Sequence, residues 1–333
     1  MANIAVIGAG GWGTALAVMA DRYGNQVSLW SPFEEEAAAI RKFDEHKKLL
    51  PGVPVPPSVR LTTDLACAAQ AELVVLAVPS FAVADTAAKL GSVLRRGTLV
   101  VNAGKGLEDG TYRRFTQVIA EKLPDARVVA LSGPSHAEEV GRGVPTSVVS
   151  ASEDVEAAEA VQDILMNPAF RIYVSTDVAG VELGGALKNV IALAAGICDG
   201  LEMGDNTKAA LMTRGLAEMA RLGGVMGASL DTFAGLSGMG DLIVTCGSMH
   251  SRNRRAGILI GQGHSPEDAV RIVGTVEGYL AARTVWHLAE REGVDMPITE
   301  QCYRVCYEGQ HPRTAIRALM GRPKKHESES AWL

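Results

Sequence analysis

Residues 238–263 read GMGDLIVTCGSMHSRNRRAGILIGQG, and they concentrate unusual chemistry in a short span. Ser251 is a natural N-cap, so a helix is expected to begin there. Its first turn then holds Arg252, Asn253, Arg254 and Arg255. Cations at a helix start oppose the helix dipole by a few tenths of a kcal/mol or more. A bound anion reverses that sign, and arginine engages phosphate through two parallel hydrogen bonds. The stretch therefore points to an anion site, against the alternative of a solvated basic patch. Arg254 and Arg255 are expected on the surface. Asp241, in a glycine-bracketed loop, could pair with a buried lysine.

A second group of residues stands at the start of the chain. Gly8, Gly10 and Gly13 have G-x-G-x-x-G spacing, after the apolar run 3–7 and before the apolar helical run 14–20. Residues 26–30 read as a second strand. Within a βαβ unit this spacing is a dinucleotide fingerprint. Gly8 permits the tight turn, Gly10 lets a pyrophosphate approach the backbone, and Gly13 lets the helix pack on the strand. The helix N-terminus then offers unpaired N–H groups to phosphate. An acid that would hold the ribose 2′-hydroxyl is missing near Trp30 and Ser31, which leans toward NADPH or toward use of both NADPH and NADH. Phe33 is placed to cover a ring of such a cofactor, or else to fill a core.

The third feature is an amine. The stretch VELGGALKNVIALAAGICDG, 181–200, reads as a buried helix with Lys188 in its middle. On a helix Lys188 shares a stripe with Val181, Gly184, Gly185, Ile191, Ala192 and Ala195. Two glycines there cost roughly 1 kcal/mol each against alanine, so something must approach closely. One reading has Lys188 snorkel to water. The other gives it a partner or substrate, with Gly184 and Gly185 admitting the first domain.

The elements that must position these residues alternate in type. Apolar runs at 71–80, 97–107, 126–132, 145–152 and 170–176 continue the strands begun at 3–7 and 26–30. The intervening helical stretches imply a mainly parallel sheet whose ligands bind beyond the strands' carboxyl ends. Lys105 and the loop of Gly133, Pro134 and Ser135 fall at such ends, and a helix opens near His136. Residues 51–59 are too proline-rich for regular structure. Beyond about 176 the periodicity turns helical, at 181–198, 207–222, 251–262, 275–292 and 299–307. The fold class is therefore α/β, a Rossmann-type N-terminal domain at 1–180, plus an all-α domain at 181–320. Residues 321–333 read as a mobile polar tail.

Composition bounds the rest. The chain has 333 residues and a formal charge of -6, which argues against general nucleic-acid binding. Five scattered cysteines form no C-x-x-C pair, and Cys302 with Cys306 offers at most two ligands, so no metal site is expected. An odd cysteine count suits a reducing cytoplasm. The N-terminus lacks the features of a signal peptide, and no membrane span is expected from the apolar runs. Cys198 and Cys246 are expected as small buried apolar side chains.

Taken in order, GAGGWGTALA, AGKGLE, SGPSHAEEV, VELGGALKNVIALAAGICDGLEMGDNTKAAL, GMGDLIVTC, SRNR and VEGY resemble the motifs of the NAD(P)-dependent glycerol-3-phosphate dehydrogenase family. The resemblance runs from residue 8 to about 279 and is closest to the bacterial biosynthetic form. It implies a site in a cleft between the domains, where dihydroxyacetone phosphate and sn-glycerol 3-phosphate interconvert, supplying phospholipid synthesis. It implies a catalytic Lys188, a second site lysine at Lys105, and Asp241 beside them. Substrate contacts carry over to Gly133, Ser135, Asp241, Ser251, Arg252 and Asn253. Cofactor contacts carry over to Gly11, Trp12, Ala137, Arg252 and Glu277. Lys188 would stabilise negative charge on the carbonyl oxygen and donate the proton. Burial lowers its pKa and a nearby Asp241 raises it. A homodimer is a further expectation. The competing readings are a two-domain β-hydroxy-acid dehydrogenase and a non-catalytic dinucleotide sensor that needs neither Lys188 nor Arg252.

Overall fold

The computed structural model describes residues 1–324, 326 and 327. The expected tail at 321–333 lies mostly outside the described residues. The chain divides into two compact units, Met1–Gly104 with Arg113–Val178, and Lys105–Tyr112 with the chain from Ala179 onward. The segment carrying Lys105 thus groups with the helical unit, although in sequence it lies within the expected span 1–180.

The first unit is built on one eight-stranded sheet of order β3-β2-β1-β4-β5-β6-β7-β8. The strands are β1 (Asn3–Ile7), β2 (Gln26–Trp30), β3 (Arg60–Thr62), β4 (Leu73–Leu76), β5 (Leu99–Asn102), β6 (Arg127–Ser132), β7 (Thr146–Ala151) and β8 (Phe170–Ser175). All neighbours are parallel except β6 and β7. The helices are α1 (Gly11–Arg22), α2 (Glu34–Phe43), α3 (Val83–Leu90), α4 (Phe115–Lys122), α5 (Ala137–Arg142) and α6 (Val155–Leu165). Alternation along each strand divides the core in two. Ile4, Val6, Leu73, Val75 and Val101 join one apolar cluster, while Ala5, Ile7, Val74, Leu76 and Val100 join the other. Burial on both faces is why these strands read as unbroken apolar runs. Strand β3 is too short and too polar to have been read from sequence, and residues 51–59 carry only an isolated bridge from Pro54 to Glu45.

The second unit is helical. It holds α7 (Val178–Gly200), α8 (Gly204–Val225), α9 (Leu230–Ala234), α10 (Asp241–Gly247), α11 (Arg252–Gly261), α12 (Pro266–Val273), α13 (Glu277–Glu292), α14 (Pro297–Tyr307) and α15 (Pro312–Met320). The five helices expected from periodicity are present, with ends shifted by a few residues. The others are short and were missed, even though α12 carries a Ser265 N-cap and a proline in its first turn. A π-helical turn, Leu236–Gly240, leads into α10, so Asp241 opens a helix and does not sit in a loop. Helix α7 is long and apolar enough to cross a membrane, with mean hydropathy 1.5 over its most apolar window, but that window is wholly buried in the protein. It is the core helix of this unit, packing Leu183, Leu187 and Ile191 among Leu216, Met219 and Leu288.

Candidate active site

The central feature of the helical unit is one carboxylate shared by two lysines. Helix α7 delivers Lys188, and its side chain does not snorkel, since the residue is 6 % exposed. Its Nζ donates to Asp241 Oδ1 at 2.9 Å and to Thr245 Oγ1 at 2.6 Å. Lys105 Nζ donates to the other oxygen, Asp241 Oδ2, at 2.6 Å. Thr245 stands one turn after Asp241 on α10 and donates its own proton to the Asp241 carbonyl at 2.6 Å. An ammonium has three donors, so Lys188 retains one for a ligand.

The backbone explains how the three groups meet. A Cβ at Gly184 would lie 2.5 Å from the Ser237 carbonyl oxygen. The glycine therefore lets the π-helical turn press against α7 just before Lys188, which sets Asp241 at the right height. The expectation that Gly184 admits the first domain is corrected on this point: the close neighbour is a turn of the same unit.

Burial and charge act against each other here. Burial alone would push the Asp241 carboxyl up, but the two ammonium groups outweigh it and hold it below the usual carboxylate range. Burial likewise dominates at Lys105 and, despite Asp241, brings its ammonium down to about 8. With both lysines protonated, the cluster carries one positive charge in excess, in surroundings where charge interactions are stronger than in water. Such a site favours an anion or an oxygen on which negative charge develops.

A second cluster stands at the start of α11. Ser251 caps the helix, its Oγ accepting from the Arg254 N–H at 3.1 Å. Arg252 is exposed in the first turn. Asn253 is buried; its Nδ2 donates to Asn189 Oδ1 at 2.9 Å and its Oδ1 accepts from the Gly278 N–H at 2.9 Å. Its amide has a second N–H for a ligand. Glu277 opens α13 beside Gly278. Arg254 is not a surface residue, contrary to expectation. Its Nε donates to Asp199 Oδ2 at 2.7 Å and a terminal nitrogen donates to the Gly247 carbonyl at 2.8 Å. Arg255 is exposed.

In the first unit the glycine fingerprint can be tested against a dinucleotide. Gly8 has φ +118°, and a Cβ there would meet the Ala77 carbonyl oxygen at 2.7 Å. A Cβ at Gly13 would lie 1.9 Å from the Gly8 carbonyl oxygen. Packing within the protein therefore demands both. Around a Cβ at Gly10 there is nothing within 4 Å, so no protein group requires that glycine. Helix α1 starts at Gly11 with no side chain capping it. The open space and the uncapped N-terminus fit a pyrophosphate. Trp12 Nε1 donates to the Ala103 carbonyl at 3.1 Å, which ties the glycine turn to the loop after β5. Gly133, with φ +139°, follows β6, and Ser135 Oγ donates to its carbonyl at 2.9 Å. His136 caps α5, which begins at Ala137. These loops follow the carboxyl ends of parallel strands, where such sheets bind ligands.

At the end of β2, Phe33 is 66 % exposed and belongs to no core. One acid, Glu36 in the first turn of α2, reaches back to the residue that follows β2. Ser31 is buried and its Oγ donates to Glu36 Oε2, while His46 Nε2 lies 3.3 Å from Glu36 Oε1. Burial would raise the Glu36 carboxyl, but His46 and Ser31 hold it below its usual range. The cysteine thiols near the helical cluster are inert: burial pushes Cys246 up to about 12 and Cys198 to about 11. Among the described residues no group of three or more His, Cys, Asp or Glu side chains could hold a metal ion.

Sequence reasoning missed Thr245 and Asn189. Thr245 lies four residues after Asp241, a signal legible only once that stretch is known to be helical. Asn189 follows Lys188 directly and was masked by it.

Comparison with known proteins identifies the family and the fold. Residues 3–158 match the family model of the NAD-dependent glycerol-3-phosphate dehydrogenase N-terminus, and residues 177–317 match that of the C-terminus. The chain is 54 % identical to the NAD(P)+ glycerol-3-phosphate dehydrogenase of Desulfitobacterium hafniense, over 100 % of this chain and 95 % of that one. It is 56 % identical to the enzyme of the same description from Moorella thermoacetica, over 98 % of each. The crystal structure of glycerol-3-phosphate dehydrogenase from Coxiella burnetii superposes with a TM-score of 0.93 at 36 % identity, covering 96 % of this chain and 99 % of that one.

Proposed function

Since the chain belongs to the NAD-dependent glycerol-3-phosphate dehydrogenase family, we propose that it interconverts dihydroxyacetone phosphate and sn-glycerol 3-phosphate with Lys188 as the proton donor. The nicotinamide cofactor, NADH or NADPH, supplies a hydride to the ketone carbon when bound. Gly8, Gly10, Gly11, Trp12 and Gly13 would hold its pyrophosphate, with Phe33 against its adenosine end and Lys105, Ala137, Arg252 and Glu277 as further contacts. Everything else falls to side chains of this chain.

The remaining donor of Lys188 faces the carbonyl oxygen, stabilises the charge that develops there and gives up a proton to it. Asp241 orients that ammonium. When Lys188 becomes neutral, Lys105 keeps Asp241 paired, so no uncompensated carboxylate is left buried. Arg252, Asn253 and the N-terminus of α11 bind the phosphate, while Gly133, Ser135 and Ser251 complete the substrate contacts. Anchoring the phosphate places the distant carbonyl and removes much of the entropic barrier.

The observation that carries this reading is the division of Asp241 between Lys188 and Lys105. A non-catalytic sensor has no need of such a pair, and a hydroxy-acid dehydrogenase has no need of a phosphate-binding helix start. The unpaired cysteines support a cytoplasmic location. We place its product at the entry to phospholipid synthesis and expect a homodimer, the commonest closed assembly of soluble chains. The test is the consumption of NADH and of NADPH, followed by absorbance, with dihydroxyacetone phosphate and with a β-keto acid. Reduction of the keto acid alone, or binding of nucleotide with no turnover of either, rules the reading out.

A further inference from the structure

Helices α7 and α11 meet backbone to backbone. A Cβ at Gly196 would lie 2.1 Å from the Arg254 carbonyl oxygen, and one at Gly257 would lie 2.1 Å from that of Leu193. A turn later the same pattern repeats, with Gly200 against Ile258 and Gly261 against Ile197, at 2.2 and 2.5 Å from the carbonyl oxygens. Small residues at four-residue spacing on both helices permit this approach. The contact sets the spacing of α11 from α7 as far as the Arg254 backbone in its first turn, but by itself does not join that turn to α10.

Arg254 closes that first turn. Its side chain is 14 % exposed and reaches Asp199, near the end of α7, at 2.7 Å. It also bonds the Gly247 carbonyl at the end of α10 at 2.8 Å. Asp199 is held from the other side by Lys208 of α8, Nζ to Oδ1 at 2.6 Å. One guanidinium thus joins α11 to the helix that carries Lys188 and to the helix that carries Asp241. The immediately preceding residues, Arg252 and Asn253, are those assigned to the substrate phosphate.

We propose that Arg254 is a positioning residue: it holds the phosphate-binding turn of α11 at a set distance from Lys188 without touching the substrate. The inference rests on the assignment of Arg252 and Asn253 to the phosphate. Its planar fork serves Asp199 and Gly247 together, which a lysine can do only in part. Loss of the fork lets the turn drift, so the phosphate binds less well and the carbonyl is presented off line.

The test combines binding and turnover. Inorganic phosphate is titrated against the full chain by calorimetry, and KM for dihydroxyacetone phosphate is measured on the same samples. Arg254→Gln is expected to raise both the phosphate Kd and KM by about tenfold, the scale of a modest misplacement. Asp199→Asn should reproduce this, Arg254→Lys should recover part of it, and Arg255→Gln should leave both within twofold. KM and Kd do not depend on how much protein is folded, so a merely structural role moves neither. Arg254→Gln with a lower melting temperature but unchanged Kd and KM overturns the proposal, as does a wild-type chain that binds no phosphate. Phosphate binding that weakens in Arg254→Gln, in a chain that reduces no dihydroxyacetone phosphate, upholds the positioning role and refutes the reaction instead.

Discussion

Thr245 Oγ1 lies 2.6 Å from the Nζ of Lys188 and accepts a hydrogen bond from it. Because the Thr245 hydroxyl gives its own proton to the Asp241 carbonyl, it meets the ammonium as an acceptor. The pair fixes the direction of the lysine's remaining donor. Thr245→Val preserves shape and removes the acceptor. It is expected to lower kcat about tenfold with little change in KM, whereas Lys188→Ala loses the 10²–10⁴-fold typical of a general acid. Steady-state kinetics on both variants checks the ordering; an unchanged kcat in Lys188→Ala removes the assignment.

Lys105 should set the alkaline limb of ketone reduction. Its folded pKa is lowered to about 8, so its positive charge is present below that pH and is lost as pH rises through it. Once Lys105 is neutral, the cluster no longer carries excess positive charge. The expected result is a fall in kcat/KM for dihydroxyacetone phosphate above about pH 8. Lys105→Met should be slower throughout and lack that limb.

The fingerprint glycines should separate in their consequences. Gly13→Ala meets the Gly8 carbonyl and should lower the melting temperature. Gly10→Ala meets nothing in the protein and should fold normally, yet bind nicotinamide nucleotides at least about tenfold more weakly if the pyrophosphate fills that space. Thermal melts and nucleotide fluorescence titrations distinguish the two. Normal nucleotide affinity in Gly10→Ala places the cofactor elsewhere.

Cofactor choice is expected to turn on Glu36. In the first turn of α2, its carboxyl is held below its usual range, so near neutrality it is negative and would repel a ribose 2′-phosphate bound beside it. This opposes the lean toward NADPH that the sequence suggested. Glu36→Gln should raise the NADPH to NADH ratio of kcat/KM by about tenfold, the scale of one lost charge interaction. A ratio that does not move clears Glu36 of this role.

Glu218 of α8 offers a stability test away from the reaction. It is buried, accepts from the Ile298 and Thr299 N–H groups at 2.7 and 3.2 Å, and so anchors the start of α14. Burial dominates over these bonds and raises its carboxyl to about 7. The folded chain therefore holds this proton more tightly than the unfolded chain does. The stability it confers is full below the unfolded value near 4.5 and is lost as pH rises to about 7, a change of about 3 kcal/mol. Denaturant unfolding at pH 5 and pH 8 should show that loss, and Glu218→Gln should be flatter across the same range.

The amino-acid order by itself determined what is local. Strands β1 and β2, the glycine turn and the five long helices follow from apolar periodicity, caps and spacing within a few residues. So does the start of α11 after its Ser251 cap, since Ser251 and the residues after it are adjacent in the chain. The tertiary structure decided what depends on distant partners. Asp241 lies 53 residues from Lys188 and 136 from Lys105, and no periodicity joins them. Gly184 appeared to await another domain and instead receives the Ser237 backbone, and Arg254 appeared solvated until α7 brought Asp199 to it. A charged side chain on an apolar helix is equally consistent with snorkelling and with pairing, because the helix specifies only the face. Which of the two holds depends on a counter-charge delivered by another element, and only packing supplies that.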